Sequence, residues 1–296
     1  MRPAITARRS RLAVLGAAAA LALAAGCAPQ PEADGAQASG TGTAAASCAP
    51  GALPTHTRGT LTIGTDKPAY APWFSGDDPA NGKGFESAVA YAVAQRLGYS
   101  PKQVTWRTVP FNNAITPGAK SFDFDLNQIS ISDERRRAVD FSSGYYDVRQ
   151  ALVALKGSKI AGARSVADLR GAKLGAQVGT TSLEVLKNVV RPATPPAVFQ
   201  KNDLAKSALR NGQVDGILVD LPTAFYITSA EVTDAKVVGQ FAGAGGRPEQ
   251  FGLVLDKGSP LTGCVTKAVD ALRADGTLAA LDKRWLAEAA DAPVLK

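Results

Sequence analysis

Apolar and polar positions follow one another along this chain in two repeating registers. "TLTIGTD" (60–66) alternates and ends in turn-forming residues, so it predicts a strand. In "GFESAVAYAVAQRLG" (84–98), Phe85, Ala88, Val89, Ala92, Val93 and Leu97 fall on one helical stripe, closed by Gly98. "QVTWRTV" (103–109) and "FDFDLNQISI" (122–131) read as two further strands. Strand, helix, strand order predicts an α/β fold with a mostly parallel sheet covered by helices.

The pattern restarts after residue 150. "SVADLRG" predicts a short helix, and "AKLGAQVGTTSLEVLKNVV" reads as strand, turn and helix. "NDLAKSALRNG" is a helix stopped by Gly212. "VDGILVD" (214–220) is a compact apolar strand, and "LPTAFYITSA" opens a helix with Pro222 in its first turn. "EQFGLVL" (249–255) is another strand, followed by two C-terminal helices. Two α/β units result, with no internal repeat.

The first residues follow neither register. "MRPAITARRSR" is basic, and "LAVLGAAAALALAA" is apolar, the order of an export signal. The apolar run Leu12 to Gly26 has 15 residues, short of the roughly 20 that a spanning helix needs. It ends in "LAAGC", which resembles the lipobox of bacterial lipoproteins, with Cys27 as the lipidated residue and Ala24 where Leu is usual. A cleaved secretory signal with an incidental cysteine is the alternative. Residues 28–47 are small, polar and aperiodic, so a flexible tether between anchor and body is expected over 27–57.

Composition then narrows the classes. The formal charge is +7, but Arg2, Arg8, Arg9 and Arg11 lie in the predicted leader, and three excess positive charges remain without them. That excess is too small, and too scattered, to predict a nucleic-acid partner. Cys48 and Cys264 are the only cysteines after Cys27, and a single pair in an exported chain predicts a disulfide. The one histidine, His56, lies in a polar stretch, so neither a metal centre, a cofactor site nor histidine catalysis is predicted.

Ligands of open α/β sheets bind beyond the carboxyl ends of strands. Polar residues stand there at Asp66, at Ser130 to Arg135, at Gly179 to Ser182, and at Asp220. In "ISISDERRRAVDFS" (129–142), Ser132 predicts an N-cap, with Asp133 and Glu134 in the first turn. Successive helical side chains diverge by about 100°, so Arg135, Arg136 and Arg137 cannot all face one ligand. Arg136, four residues before Asp140, has a surface partner by spacing. Spacing alone leaves two readings of this segment, a solvated charge run or one inward arginine. Thr180 and Thr181 are either anion-binding or a plain helix cap. Asp220 is either an ammonium acceptor or an N-cap, and Asp66 either a ligand contact or a turn residue. Tyr70, Trp73 and Phe111 are either ligand walls or core.

Six segments in order resemble the amino-acid-binding proteins of bacterial ABC importers, the family 3 solute-binding proteins, over about residues 58–288. They are "LTIGTDKPAYAPWF", "GKGFESAVAYAVAQRLG", "FDFDLNQISISDERRRAVDFSSGYYD", "LGAQVGTTS", "VDGILVDLP" and "FGLVLDKGSPL" with the helices after it. The resemblance implies a two-lobed periplasmic-binding fold of type II, joined by two hinge strands near Asp147–Ala151 and Glu249–Gly252. Lobe 1 would be residues 58–148 plus 250–296, and lobe 2 residues 149–249. By position, Arg135 matches the arginine that grips the ligand α-carboxylate, aided by Ser130 and Thr181. Asp220 matches the α-ammonium acceptor, and Asp66 a side-chain-selecting acid. Phe111, with Tyr70 or Trp73, matches the aromatic walls.

Gln128 departs from the family, which usually carries Gly or Ser there; its longer amide would alter the pocket. The implied protein is a monomeric, lipid-anchored extracytoplasmic receptor. It delivers a polar or cationic L-amino acid to ABC permease subunits. The same fold resembles cyclohexadienyl dehydratases, the alternative reading, although no paired carboxylates at catalytic spacing stand out.

Overall fold

The restart of the sequence pattern corresponds to two five-stranded sheets. A computed structural model describes residues 48–49, 51–243, 247–286 and 292–296. The predicted leader, Cys27 and linker residues 28–47 lie outside the described residues.

The first sheet runs in the order β2 (Val104–Thr108), β1 (Leu61–Thr65), β3 (Phe124–Asp125), β10 (Glu249–Leu255) and β4 (Asp140–Val148). The second runs β7 (Ala197–Phe199), β6 (Leu174–Gln177), β8 (Gly216–Asp220), β5 (Gln150–Leu155) and β9 (Ala235–Gln240). Four strands of each sheet run in one direction, as the sequence predicts, and one strand of each is reversed. β10 runs antiparallel to β3 and β4, and β5 antiparallel to β8 and β9. The reversed strands are those on which the chain passes between sheets. It leaves β4 through Arg149 and returns into β10, where Glu249 pairs with Val148.

Central strands covered on both faces have no polar alternation to show. "ALVAL" in β5 is such a strand: Leu152 and Ala154 enter one core, Ala151 and Val153 the other. β8 does the same with Leu218 on one face and Ile217 and Val219 on the other. Around the first sheet, α1 (Phe85–Arg96) buries Phe85, Val89 and Val93 against Ile63, Phe124 and Leu253, and the short α2 (Phe111–Ile115) follows β2; on the second sheet α5 (Asn202–Arg210) follows β7. The two C-terminal helices, α7 (Thr262–Ala274) and α8 (Thr277–Trp285), join this same core through Val265, Val269 and Leu278.

Three boundaries differ from expectation. The predicted strand 122–131 forms β3 over two residues; Gln128 then adopts φ 50°, a left-handed conformation that interrupts the extended run, and pairing resumes as a bridge from Ser130 to Phe251. The packed body begins before Arg58. Cys48 is disulfide-bonded to Cys264 on α7, Leu53 is buried in the first core, and His56 N donates to Asp123 Oδ1 at 2.8 Å.

The C-terminal tail does not stay with the first sheet. Val294 bridges Gln240 at the end of β9, Leu295 N donates to Gln240 O at 2.9 Å, and Leu295 is buried in the second core. Gly239 makes room for it: a Cβ there would lie 2.7 Å from Leu295 Cγ and from Pro293 O.

Candidate ligand-binding site

The carboxyl ends of the strands meet at a cavity lined from both sheets. Asp66, Tyr70, Phe111, Gln128 and Arg135 come from the first-sheet side, and Thr180, Thr181 and Asp220 from the second.

Arg135 is the only one of the three consecutive arginines in that wall. It sits on α3 (Asp133–Arg136), capped as predicted by Ser132, whose Oγ accepts from Arg135 N at 3.2 Å. Its guanidinium donates to Ser130 O at 2.6 Å and across the cleft to Gly179 O at 2.9 Å. It also lies 5.6 Å from the Phe111 ring centroid. Two of the five N–H groups of the fork are committed in these bonds, and the rest can meet a carboxylate. Burial weakens its charge, while Glu249 and Asp220 support it. The close crossing at Gly179 requires glycine, for φ is 75° and a Cβ would strike Asn112 Oδ1. Arg136 and Arg137 are exposed. Asp140, the partner that spacing assigns to Arg136, is bound instead by Lys257 Nζ at 2.9 Å.

Asp220 occupies the N-cap position of α6 (Leu221–Tyr226), yet its carboxylate makes no capping bond. It accepts from Gln150 Nε2 at 2.8 Å. Burial, reinforced by Glu249 and Glu86, pushes its pKa up to about 7, against the pull of Gln150 and Arg135. Thr180 does cap α4 (Thr181–Val185), accepting from Leu183 N at 3.3 Å while its hydroxyl donates to Gln177 O. Thr181 is free of that duty: its Oγ1 accepts from Gln150 Nε2 at 3.2 Å and lies 3.4 Å from Ser130 Oγ. Asp66 holds Lys67 N at 2.6 Å and Phe111 N at 3.3 Å, with Lys201 Nζ 4.0 Å away across the cleft. Tyr70 faces Lys206 Nζ, 5.2 Å from its ring centroid.

Two expected contacts are absent from the lining. Trp73 is fully buried among Phe85, Tyr146 and Phe251 and does not line the cavity. Ser130 is 2% exposed and is not in the lining; its hydroxyl donates to Glu249 Oε2 at 2.8 Å.

Glu249 and Gln150 were not picked out from sequence, although each is the polar first residue of an apolar strand, β10 and β5. Gln150 joins the site together: Ser182 Oγ donates to its Oε1, which leaves its Nε2 for Asp220, Thr181 and Glu249. Glu86, also missed, is buried beneath Gln128.

A guanidinium from one side and a carboxylate from the other suit a small zwitterion, whose own charges complete both. Among the described residues no helix is long and apolar enough to cross a membrane. The L-cystine-binding protein TcyJ of Escherichia coli (strain K12) is 34% identical over 235 residues, which cover 77% of this chain and 83% of that protein. An ancestral arginine-binding protein solved with glutamine superposes with a TM-score of 0.65 at 30% identity, covering 78% of this chain and 99% of that one. The ancestral amino-acid-binding protein AncCDT-1, a precursor of cyclohexadienyl dehydratase, gives 0.63 at 28% identity, covering 77% and 96%. The match to a family description runs over residues 61–288. The chain belongs to the bacterial extracellular solute-binding proteins, family 3.

Proposed function

We propose that this protein binds one polar or cationic L-amino acid in the cleft and delivers it to ABC permease subunits. The observation that carries the reading is the convergence of Arg135 and Asp220, from opposite sheets, on one cavity. Arg135, with Thr181 beside it, takes the α-carboxylate, and Asp220 takes the α-ammonium. Asp66 and the Tyr70 and Phe111 rings meet the side chain, and Asp66 favours one that carries N–H donors.

Two bodies, residues 58–148 plus 250–286 and residues 149–249, close on the ligand. A zwitterion that touches both favours the closed form by its differential contacts there. The protein acts as a monomer held at the outer face of the cell membrane through lipid on Cys27.

Calorimetry and thermal shift against the common L-amino acids and L-cystine test this. Ligand at 100 times its Kd adds about 2.7 kcal/mol of stability. Arg135→Ala removes one partner of a buried charge pair and weakens binding by about 2–5 kcal/mol. Absence of binding by every amino acid overturns the function, and unchanged affinity in Arg135→Ala overturns the site. Loss of membrane association in Cys27→Ser checks the anchor.

One observation favours a second reading. Asp220 and Glu249 share Gln150 Nε2 at the cleft, and burial pushes the Asp220 pKa up to about 7, an arrangement that suits general acid catalysis. Turnover of cyclohexadienyl substrates by the purified protein would establish a dehydratase instead.

A further inference from the structure

Glu86, the second residue of α1, is fully buried below the cleft. Its carboxyl group accepts from Gln128 N at 2.8 Å, from Gln128 Nε2, and from Tyr145 Oη. Two of these three donors belong to one residue, and that residue lines the cavity. Gln128 is also left-handed at φ 50°. A side chain persists in that region only where its surroundings over-determine it. Glu86 does so by gripping the main chain and the side chain of Gln128 together.

The grip decides which end of the amide is available. Nε2 faces Glu86, and the acceptor Oε1 is the end left over. Gln128 and Asp220 line the same cavity, so a ligand nitrogen held there meets both acceptors. We propose that Gln128 Oε1 accepts a hydrogen bond from the ligand's cationic nitrogen beside Asp220, and that Glu86 is the positioning residue that orients it. Gln128 is then a specificity determinant: it rewards a charged nitrogen donor over a neutral hydroxyl and discriminates against an anion at the same point. The inference rests on the amino-acid-binding reading above.

The test measures a preference rather than an affinity. The tightest binder among the common L-amino acids and L-cystine is compared with its α-hydroxy acid in wild type, Gln128→Gly and Glu86→Gln. Glycine accepts φ 50° without strain, so Gln128→Gly relaxes the backbone and removes only the amide. The amino-over-hydroxy preference is expected to fall about tenfold in Gln128→Gly. It is expected to fall in Glu86→Gln as well, because a glutamine at 86 no longer dictates which end of the Gln128 amide faces it. If Glu86→Gln does not fold, Glu86→Asp, with its shorter reach, is read in the same way. Equal weakening of both compounds, or no change in either, overturns the inference while leaving the amino-acid-binding function standing. Absence of binding by every amino acid overturns both.

Discussion

Trp73 donates its indole N–H to Thr223 Oγ1 at 2.8 Å, a buried bond that joins the body of the first sheet to that of the second. The same ring packs edge-on against Tyr146 of β4 and Phe251 of β10, each 5.5 Å between centroids. Those two strands carry the passages between the sheets, so the bond lies beside the pivot. Trp73→Phe keeps the apolar ring and removes the donor, and Thr223→Val removes the acceptor. A double-mutant cycle in urea should show a coupling of about 1 kcal/mol. Additive losses would mean that the bond does no more than fill space.

Asp125 should oppose folding at neutral pH. It is fully buried in β3, and neither carboxylate oxygen has a hydrogen-bond partner among the described residues. Burial, together with Glu86 and Asp66, raises its pKa well above the ordinary carboxylate value. A carboxyl group raised in this way favours the folded state fully below its unfolded value, and that contribution is lost as pH rises through the folded value. Asp125→Asn should therefore be more stable than wild type at pH 8 by about 1–3 kcal/mol, with the gap closing below pH ~4. Urea melts at both pH values check this; a gap independent of pH contradicts it.

The Cys48–Cys264 bond closes a loop of 216 residues in sequence separation. Chain entropy sets the stabilisation at about 5 kcal/mol, an upper figure where the unfolded state keeps structure. Cys48→Ala with Cys264→Ala should lower the melting temperature by several degrees, to the same value that reduction gives the native protein. Equal melting of oxidised and reduced protein would show that the bond is absent in solution.

Removal of residues 292–296 should loosen the second sheet at β9. The deletion exposes the core that Leu295 covers and leaves Gln240 N without Pro293 O, 2.8 Å away. A cost of about 2–3 kcal/mol follows from the apolar surface alone. Hydrogen exchange should speed up at Ala235–Gln240 first, and uniform protection after deletion would contradict the assignment.

Much of this protein is legible in the chain. The periodicity of residues 84–98 yields α1, the apolar run before Asp220 yields β8, and the Ser132 cap yields the turn that carries Arg135. These are local patterns, written by neighbours three or four residues apart. Resemblance to a family then singled out Arg135, Asp220 and Thr181, which line the cavity. Periodicity could not make those choices, because a cap and a ligand contact have the same spacing.

Only tertiary structure decided the rest. Trp73 and Tyr70 are equivalent aromatics in one loop by sequence, and packing against the crossing strands sends Trp73 into the core. The polarity of Gln150 and Glu249 is visible, but their meeting with Ser130, Thr181 and Asp220 depends on two passages far apart in sequence lying side by side. Asp140 bonds Lys257 rather than Arg136, and the tail leaves the first sheet for the second. In each case the deciding partner lies 30 or more residues away, where no local pattern can register it.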